Sequence, residues 1–120
     1  MTENAAGRPL RRGPMGHMEL QILLLLSRQP CHGYAMMKQI SRASDGDIEP
    51  GPGTLYVALR RLVDSGEIRE LDEPAQARTR RRYRITRVGR ASLRRELDRL
   101  AQLLQQAEQA GWRNRLVRGQ

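Results

Sequence analysis

The stretch Glu49-Pro-Gly-Pro-Gly-Thr-Leu-Tyr-Val-Ala-Leu-Arg-Arg-Leu-Val-Asp-Ser-Gly66 carries the punctuation of one short helix. Pro52 suits a first turn, where a missing N–H costs nothing. Gly51 suits the N-cap, and Gly66 suits the left-handed residue that follows a helix. The helix is therefore predicted over Pro52 to Ser65. At 3.6 residues per turn, Leu55, Ala58, Leu59, Leu62 and Val63 gather on one side and Gly53, Thr54, Val57, Arg60, Arg61 and Asp64 on the other. One face is core and the other is available. Small residues at the N-terminal tip let backbone amides and the positive helix end approach an anion such as phosphate, and the two arginines extend that field.

Upstream, Ser44-Asp45-Gly46-Asp47 breaks a second helix predicted over Gly33 to Ala43, with Met36, Met37, Ile40 and Ala43 inward and Lys38, Gln39 and Arg42 outward. Two helices joined by a short link, the later one with a free polar face, follow helix-turn-helix order. A first helix is predicted over Gly16 to Arg28 and stops at Gln29-Pro30. Met18, Ile22, Leu25 and Leu26 share one of its faces, while Leu20, Leu23 and Leu24 occupy the others, so it must be covered all round. A short chain covers one side only, which assigns Ile22 and Leu26 to a contact with a second subunit. Residues 1–15 hold Gly7, Pro9, Gly13 and Pro14 with Arg8, Arg11 and Arg12 and no periodicity, the pattern of a disordered basic arm.

Downstream, Glu67 to Asp72 and Arg78 to Thr86 form a hairpin in which Tyr83 and Ile85 alternate with Arg82 and Arg84. Arg78, Arg80, Arg81, Arg82 and Arg84 crowd its tip and second strand, a density that repels itself unless anions lie alongside. Thr86 caps a last helix, from Arg87 or Val88 to near Gly111. Leu93, Leu97, Leu100, Leu104, Ala107 and Gly111 follow four-three spacing, a coiled-coil seam that Leu103 widens. The seam implies a symmetric dimer built from first and last helices, with Leu93, Leu97, Leu100 and Leu104 joining Ile22 and Leu26 at the interface. Trp112 and a basic tail over 113–120 close the chain.

The 120 residues make one domain, with 22 basic and 13 acidic side chains and a formal charge of +9. That excess points to a polyanion, nucleic acid before anionic membrane. The longest apolar run, Ile22 to Leu26, falls far short of the roughly 20 residues a spanning helix needs, and no signal peptide is recognisable. A lone Cys31 points to a reducing cytoplasm. One Trp, three Tyr and no Phe leave the core to aliphatic residues and Met. His17 and His32, with one cysteine between them, form neither a zinc spacing nor a nucleophile and base set. Gly51-x-Gly53 lacks the lysine and hydroxyl of a phosphate-binding loop, and Asp45 and Asp47 sit in a turn. No catalytic residue, metal site or cofactor is expected, and the chain reads as a binding protein, not an enzyme.

Three motifs in order, Cys-His-Gly-Tyr at 31–34, Pro-Gly-Thr-Leu-Tyr at 52–56 and Arg-Tyr-Arg-Ile-Thr-x-x-Gly at 82–89, resemble the PadR family of bacterial transcriptional regulators. The likeness runs from about Met18 to Gly111. Gly51 stands where that family often has a serine. The resemblance implies a mainly α fold with a small β-hairpin: a winged helix-turn-helix over 16–86 and a single C-terminal dimerisation helix over 87–112. It further implies a cytoplasmic homodimer, clear of the membrane, that binds double-stranded DNA at an inverted-repeat operator. The expected action is repression, relieved by a small hydrophobic or phenolic effector. The DNA contacts expected are Thr54, Tyr56, Arg60 and Arg61 on the helix and Arg80, Arg81 and Arg82 on the wing. For Tyr56 a backbone contact is implied by the resemblance, the alternative being an edge-of-core tyrosine with a wet hydroxyl. Trp112 either stacks on a planar effector or anchors the helix end. An RNA-binding domain or a protein-interaction adaptor is the alternative function, disfavoured by the shortage of exposed aromatics for stacking on bases.

Overall fold

Glycine, proline and threonine set the starts of α1, α3 and α4. The computed structural model describes residues 13–71 and 81–112, in the order α1 (His17–Leu26), β1 (Cys31–His32), α2 (Gly33–Ala43), α3 (Pro52–Asp64), β2 (Ile68–Glu70), β3 (Arg82–Ile85) and α4 (Arg87–Gln109). The chain is mainly helical, with a small sheet and a long last helix, as the pattern predicts. Helix α2 spans its expected range residue for residue, and α3 ends one residue early because Ser65 is its C-cap. Gly66 then takes φ of 80°, the left-handed turn that favours glycine.

The sheet differs from the expected hairpin by one strand. Its order is β1-β3-β2, all antiparallel, with Tyr83 in the middle strand opposite Cys31 on one side and Glu70 on the other. Two residues carry no alternation, so Cys31–His32 gave no strand signal. Tyr83 and Ile85 point inward and Arg84 outward, the period of two that the residues show.

The core corrects three further expectations. Ile22, Leu23 and Leu26 of α1 are 0%, 0% and 2% exposed and pack with Met36, Ile40, Leu55, Leu59 and Leu62. Helix α1 is central: α2, α3, β3 and α4 all touch it, so its own chain covers the side assigned to a partner. Ile22 and Leu26 are therefore core, not interface, and Leu93 of α4 is buried with them. Met15, placed at the end of the arm, is also buried, and its N–H donates to the Glu96 carboxylate at 3.2 Å. Ala43, expected inward, is exposed. Residues 1–12 and 113–120, which hold the rest of the predicted arm and the tail, lie outside the described residues. Burial of Cys31 pushes its thiol above the ordinary value, which keeps it protonated and a packing group. Among the described residues no helix is long and apolar enough to cross a membrane.

One junction locks the sheet to both helices that flank it. The Thr86 hydroxyl donates to the Gly66 carbonyl at 2.6 Å and accepts from the Gly89 N–H at 3.1 Å, while the Thr86 N–H donates to the Glu67 carbonyl at 3.0 Å. A Cβ on Gly89 would fall inside the van der Waals shell of that same Glu67 carbonyl oxygen. The Thr-x-x-Gly of the third motif is thus a cap and a gap at one corner. Gly89→Ala is expected to destabilise the fold by about 1–3 kcal/mol or more through overpacking against backbone. Thr86→Ala should cost about 1 kcal/mol through the lost cap. Urea unfolding followed by circular dichroism measures both, and a Gly89→Ala chain as stable as the parent would show that this corner is not tightly packed.

Candidate nucleic-acid interface

Helix α3 presents the face that its sequence pattern leaves free. Leu55, Ala58, Leu59 and Leu62 are buried, while Gly53, Thr54, Val57, Arg60, Arg61 and Asp64 are exposed. Gly51 is the N-cap in extended backbone, with no side chain capping the first turn. A Cβ at Gly51 or Gly53 would meet nothing within 4 Å, so neither glycine is crowded by its surroundings. Without a capping oxygen, the amides of Gly53 and Thr54 and the positive end of the helix remain available to an anion.

The outward face of α3 forms one wall of a groove of about 650 Å³ whose other wall is the start of α1. Gly53, Thr54, Val57 and Arg61 line it from α3, and Gly16 and His17 from α1. Thr54 and Arg61 are therefore brought together. Arg60 lies beside them on the same helix, its Nε 3.6 Å from Asp64 with both side chains largely in water, a pair too exposed to hold it. Val57, 54% exposed, and His17 belong to the groove but were absent from the expected contacts. Val57 was legible as an outward position; nothing in the sequence brought the start of α1 to α3.

Tyr56 does not join this surface. Its ring packs on the start of α2, where a Cβ on Gly33 would sit 2.9 Å from the tyrosine hydroxyl oxygen and 3.1 Å from the ring. The hydroxyl is covered rather than wet, so here Tyr56 is an anchor of α3 on α2. Tyr34, 51% exposed, lies outside that contact with the Lys38 ammonium 4.9 Å from its ring centroid.

On the wing, Arg81 is exposed and its guanidinium donates to Glu70 at 3.0 Å across the strands. Arg82 is half-buried opposite His32, on the outer face of the sheet with Arg84. Arg78 and Arg80, on which the wing-tip expectation rested, lie outside the described residues. His17 has its Nε2 3.2 Å from the Gln21 side-chain nitrogen, and His32 is the N-cap of α2. No group of three metal-ligating side chains occurs among the described residues.

Comparison with known proteins follows the same outline. A family model described as the transcriptional regulator PadR-like family matches residues 22–95. A transcriptional regulator of Mycobacterium tuberculosis is 36% identical over 87 residues, which is 70% of this chain and 78% of that protein. A transcriptional regulator from Clostridium thermocellum has a similar structure, with a TM-score of 0.69 and 26% identity over 82% of this chain and 92% of that one. Bacillus subtilis PadR, solved in complex with operator DNA, shares the fold, with a TM-score of 0.58 and 23% identity over 70% of this chain and 48% of that one. The chain spans only 23% of a Streptomyces fradiae transposon protein and 30% of an Escherichia coli transcriptional regulator, two further relatives.

The Gly33 contact with Tyr56 ties the first motif to the second and is open to test. Gly33→Ala should destabilise by about 1–3 kcal/mol, because the added methyl displaces the Tyr56 ring. With Tyr56→Ala in the same chain the two costs should fall short of additivity by about 0.5–3 kcal/mol, since the clash has gone. Strict additivity in a thermal-denaturation cycle would show that the two residues do not meet.

Proposed function

The chain belongs to the PadR-like family of transcriptional regulators, and from that premise we propose a sequence-specific repressor that binds double-stranded DNA as a homodimer. The observation that carries the proposal is the uncrowded tip and free polar face of α3, uncapped at Gly51 and backed by Thr54, Arg60 and Arg61. Such a face fits the major groove, and the fold it sits on is shared with a protein solved on operator DNA. In this reading Thr54 and the tip amides meet phosphate, while Arg60 and Arg61 divide between phosphate and guanine edges. Arg80, Arg81 and Arg82 of the wing add backbone contacts, and Tyr56 holds α3 at its angle.

The dimer half of the proposal rests on what α4 leaves uncovered. Leu97, Leu103 and Leu104 are 39%, 52% and 42% exposed, Leu100 is half-buried, and Leu24 of α1 is 37% exposed. Covering such leucines is worth roughly 1.5–3 kcal/mol each when complete. In this reading Leu97, Leu100 and Leu104 form the seam, joined by Leu103 and Leu24, while Ile22, Leu26 and Leu93 belong to the core. The operator that suits two-fold symmetry is an inverted repeat with half-sites about one helical turn, roughly 34–36 Å, apart. A small hydrophobic or phenolic effector would work at that interface, where Trp112, 64% exposed at the end of α4, is available to stack on it. The protein acts in the cytoplasm and needs no catalytic chemistry.

Two measurements test these halves separately. Leu97→Glu with Leu104→Glu should give a folded monomer by sedimentation, whereas Ile22→Glu should unfold the chain. A dimer that survives the paired substitution would refute the seam. On an operator selected from random duplexes, the logarithm of affinity should fall with that of salt by about 0.9 per phosphate contacted. Arg60→Ala with Arg61→Ala should weaken binding by about 1–3 kcal/mol per lost base contact and leave the dimer intact. A flat salt response would overturn the DNA reading.

A further inference from the structure

The arginines of the sheet's outer face do not all belong with α3. Arg69 of β2 stands directly opposite Arg84 of β3 in the antiparallel register. Like charges in that relation have Cβ atoms about 4.5–5.5 Å apart and destabilise the pair. Arg87 and Arg90 fall in the first turn of α4, where no acidic residue sits and the positive helix end disfavours cations. These four side chains, with Ile85 and Thr86 between them, line one shallow cleft of about 510 Å³.

All four are exposed, and no carboxylate lines the cleft with them. Among the described residues none of the four is ion-paired, whereas Arg60, Arg81 and Arg99 each face an acid. Three elements, β2, β3 and α4, thus gather four positive charges into one concavity, and each juxtaposition costs stability as long as the cleft is empty of anions. Strand β2 follows the C-terminal end of α3, whereas Gly53 and Thr54 open that helix, and the cleft shares no lining residue with the groove at the tip.

We propose that this cleft is a second anion site, separate from the α3 face, that takes adjacent phosphate groups. Arginine is suited to that chemistry because its planar fork bonds two phosphate oxygens at once, and four forks around one cavity match an oligophosphate rather than a single ion. The phosphates come either from a free oligophosphate, as in a nucleotide, or from the DNA backbone flanking the operator.

The test uses the full chain and inorganic triphosphate, titrated by calorimetry at fixed ionic strength. Arg84→Gln with Arg90→Gln removes one charge from the sheet and one from α4, and Arg60→Gln with Arg61→Gln is the control at the tip. Saturable binding is expected, with Kd raised about tenfold or more in the first variant and nearly unchanged in the second, since charge-assisted bonds are lost only there. A thermal scan guards against misfolding: in phosphate-free, low-salt buffer the first variant should melt above the parent, and triphosphate should raise the parent's Tm and not the variant's. No saturable binding, or equal losses in both variants, would overturn the site. Duplexes with and without an extra helical turn beyond the operator identify the source. A gain from the extension that disappears in the first variant assigns the DNA backbone, and equal affinity for both duplexes assigns a free oligophosphate.

Discussion

The backbone contact between the first turn of α4 and the Glu67 carbonyl fixes the position of everything that faces outward. Gly89 supplies no Cβ, so α4 lies directly on the turn that ends α3 and begins β2. Thr86 closes the same corner from three atoms: its N–H bonds Glu67, its hydroxyl hydrogen bonds Gly66, and its hydroxyl oxygen caps α4. The end of the α3 helix, the base of the wing and the start of the 23-residue α4 therefore move as one body. Whatever α4 pairs with inherits a fixed angle to the tip of α3. A two-fold assembly built on α4 would set the separation of two such tips without any further adjustable joint.

The motifs that carry the family resemblance turn out to be packing devices. Gly33 in the first accommodates the ring of Tyr56 in the second, and Cys31 lies opposite Tyr83 of the third in the sheet. With only three tyrosines and no phenylalanine, the chain spends two of them on these inter-element contacts. Motif residues of this kind report on the fold. Val57, Arg60 and Arg61, on which target choice would rest in the proposed function, lie between them on the free face, exposed and without a packing constraint on their identity.

Periodicity made most of the fold legible. The faces of α3 follow the 3.6-residue pattern, with Val63 of the inward set only half-buried, and Thr86, Gly51 and Gly66 mark their helix ends. What escaped was long-range. A helix apolar nearly all round, like α1, does not say which of its sides are covered by its own chain; four elements of this chain pack on it and bury Ile22, Leu23 and Leu26, while Leu24 stays exposed. The burial of Ile22 and Leu26 within their own chain is therefore not legible in the helix pattern. Met15 escaped because a lone apolar residue after Gly13-Pro14 has no period, yet Glu96, 81 residues away, accepts its N–H. Glu96 is itself held by Arg99 through two bonds, of 3.2 Å and 2.6 Å, which offsets part of the cost of burying a carboxylate. At the candidate site, Thr54, Arg60 and Arg61 could be read from their helix face, but the groove they share with α1 is a product of tertiary packing. The covered hydroxyl of Tyr56 is another.

The second half of α4 makes the strongest physical case for association. The buried residues of this helix are Gly89, Ser92, Leu93 and Glu96, all in its first half. Beyond them the helix continues to Gln109 with its side chains exposed or half-buried. Isolated helices shorter than about 12–15 residues are marginal in water, because the cost of nucleation is spread over few hydrogen bonds. Extension from an already folded first half removes the nucleation cost but leaves the leucines in water. Those leucines recur at 97, 100 and 104, one per turn on a single side, with Leu103 beside them, while Arg95, Asp98, Gln102 and Gln106 take the rest. A helix needing only to be soluble has no use for that stripe. In the proposed dimer that stripe would meet its own copy, and folding of the second half of α4 and dimerisation would become a single equilibrium, dependent on protein concentration.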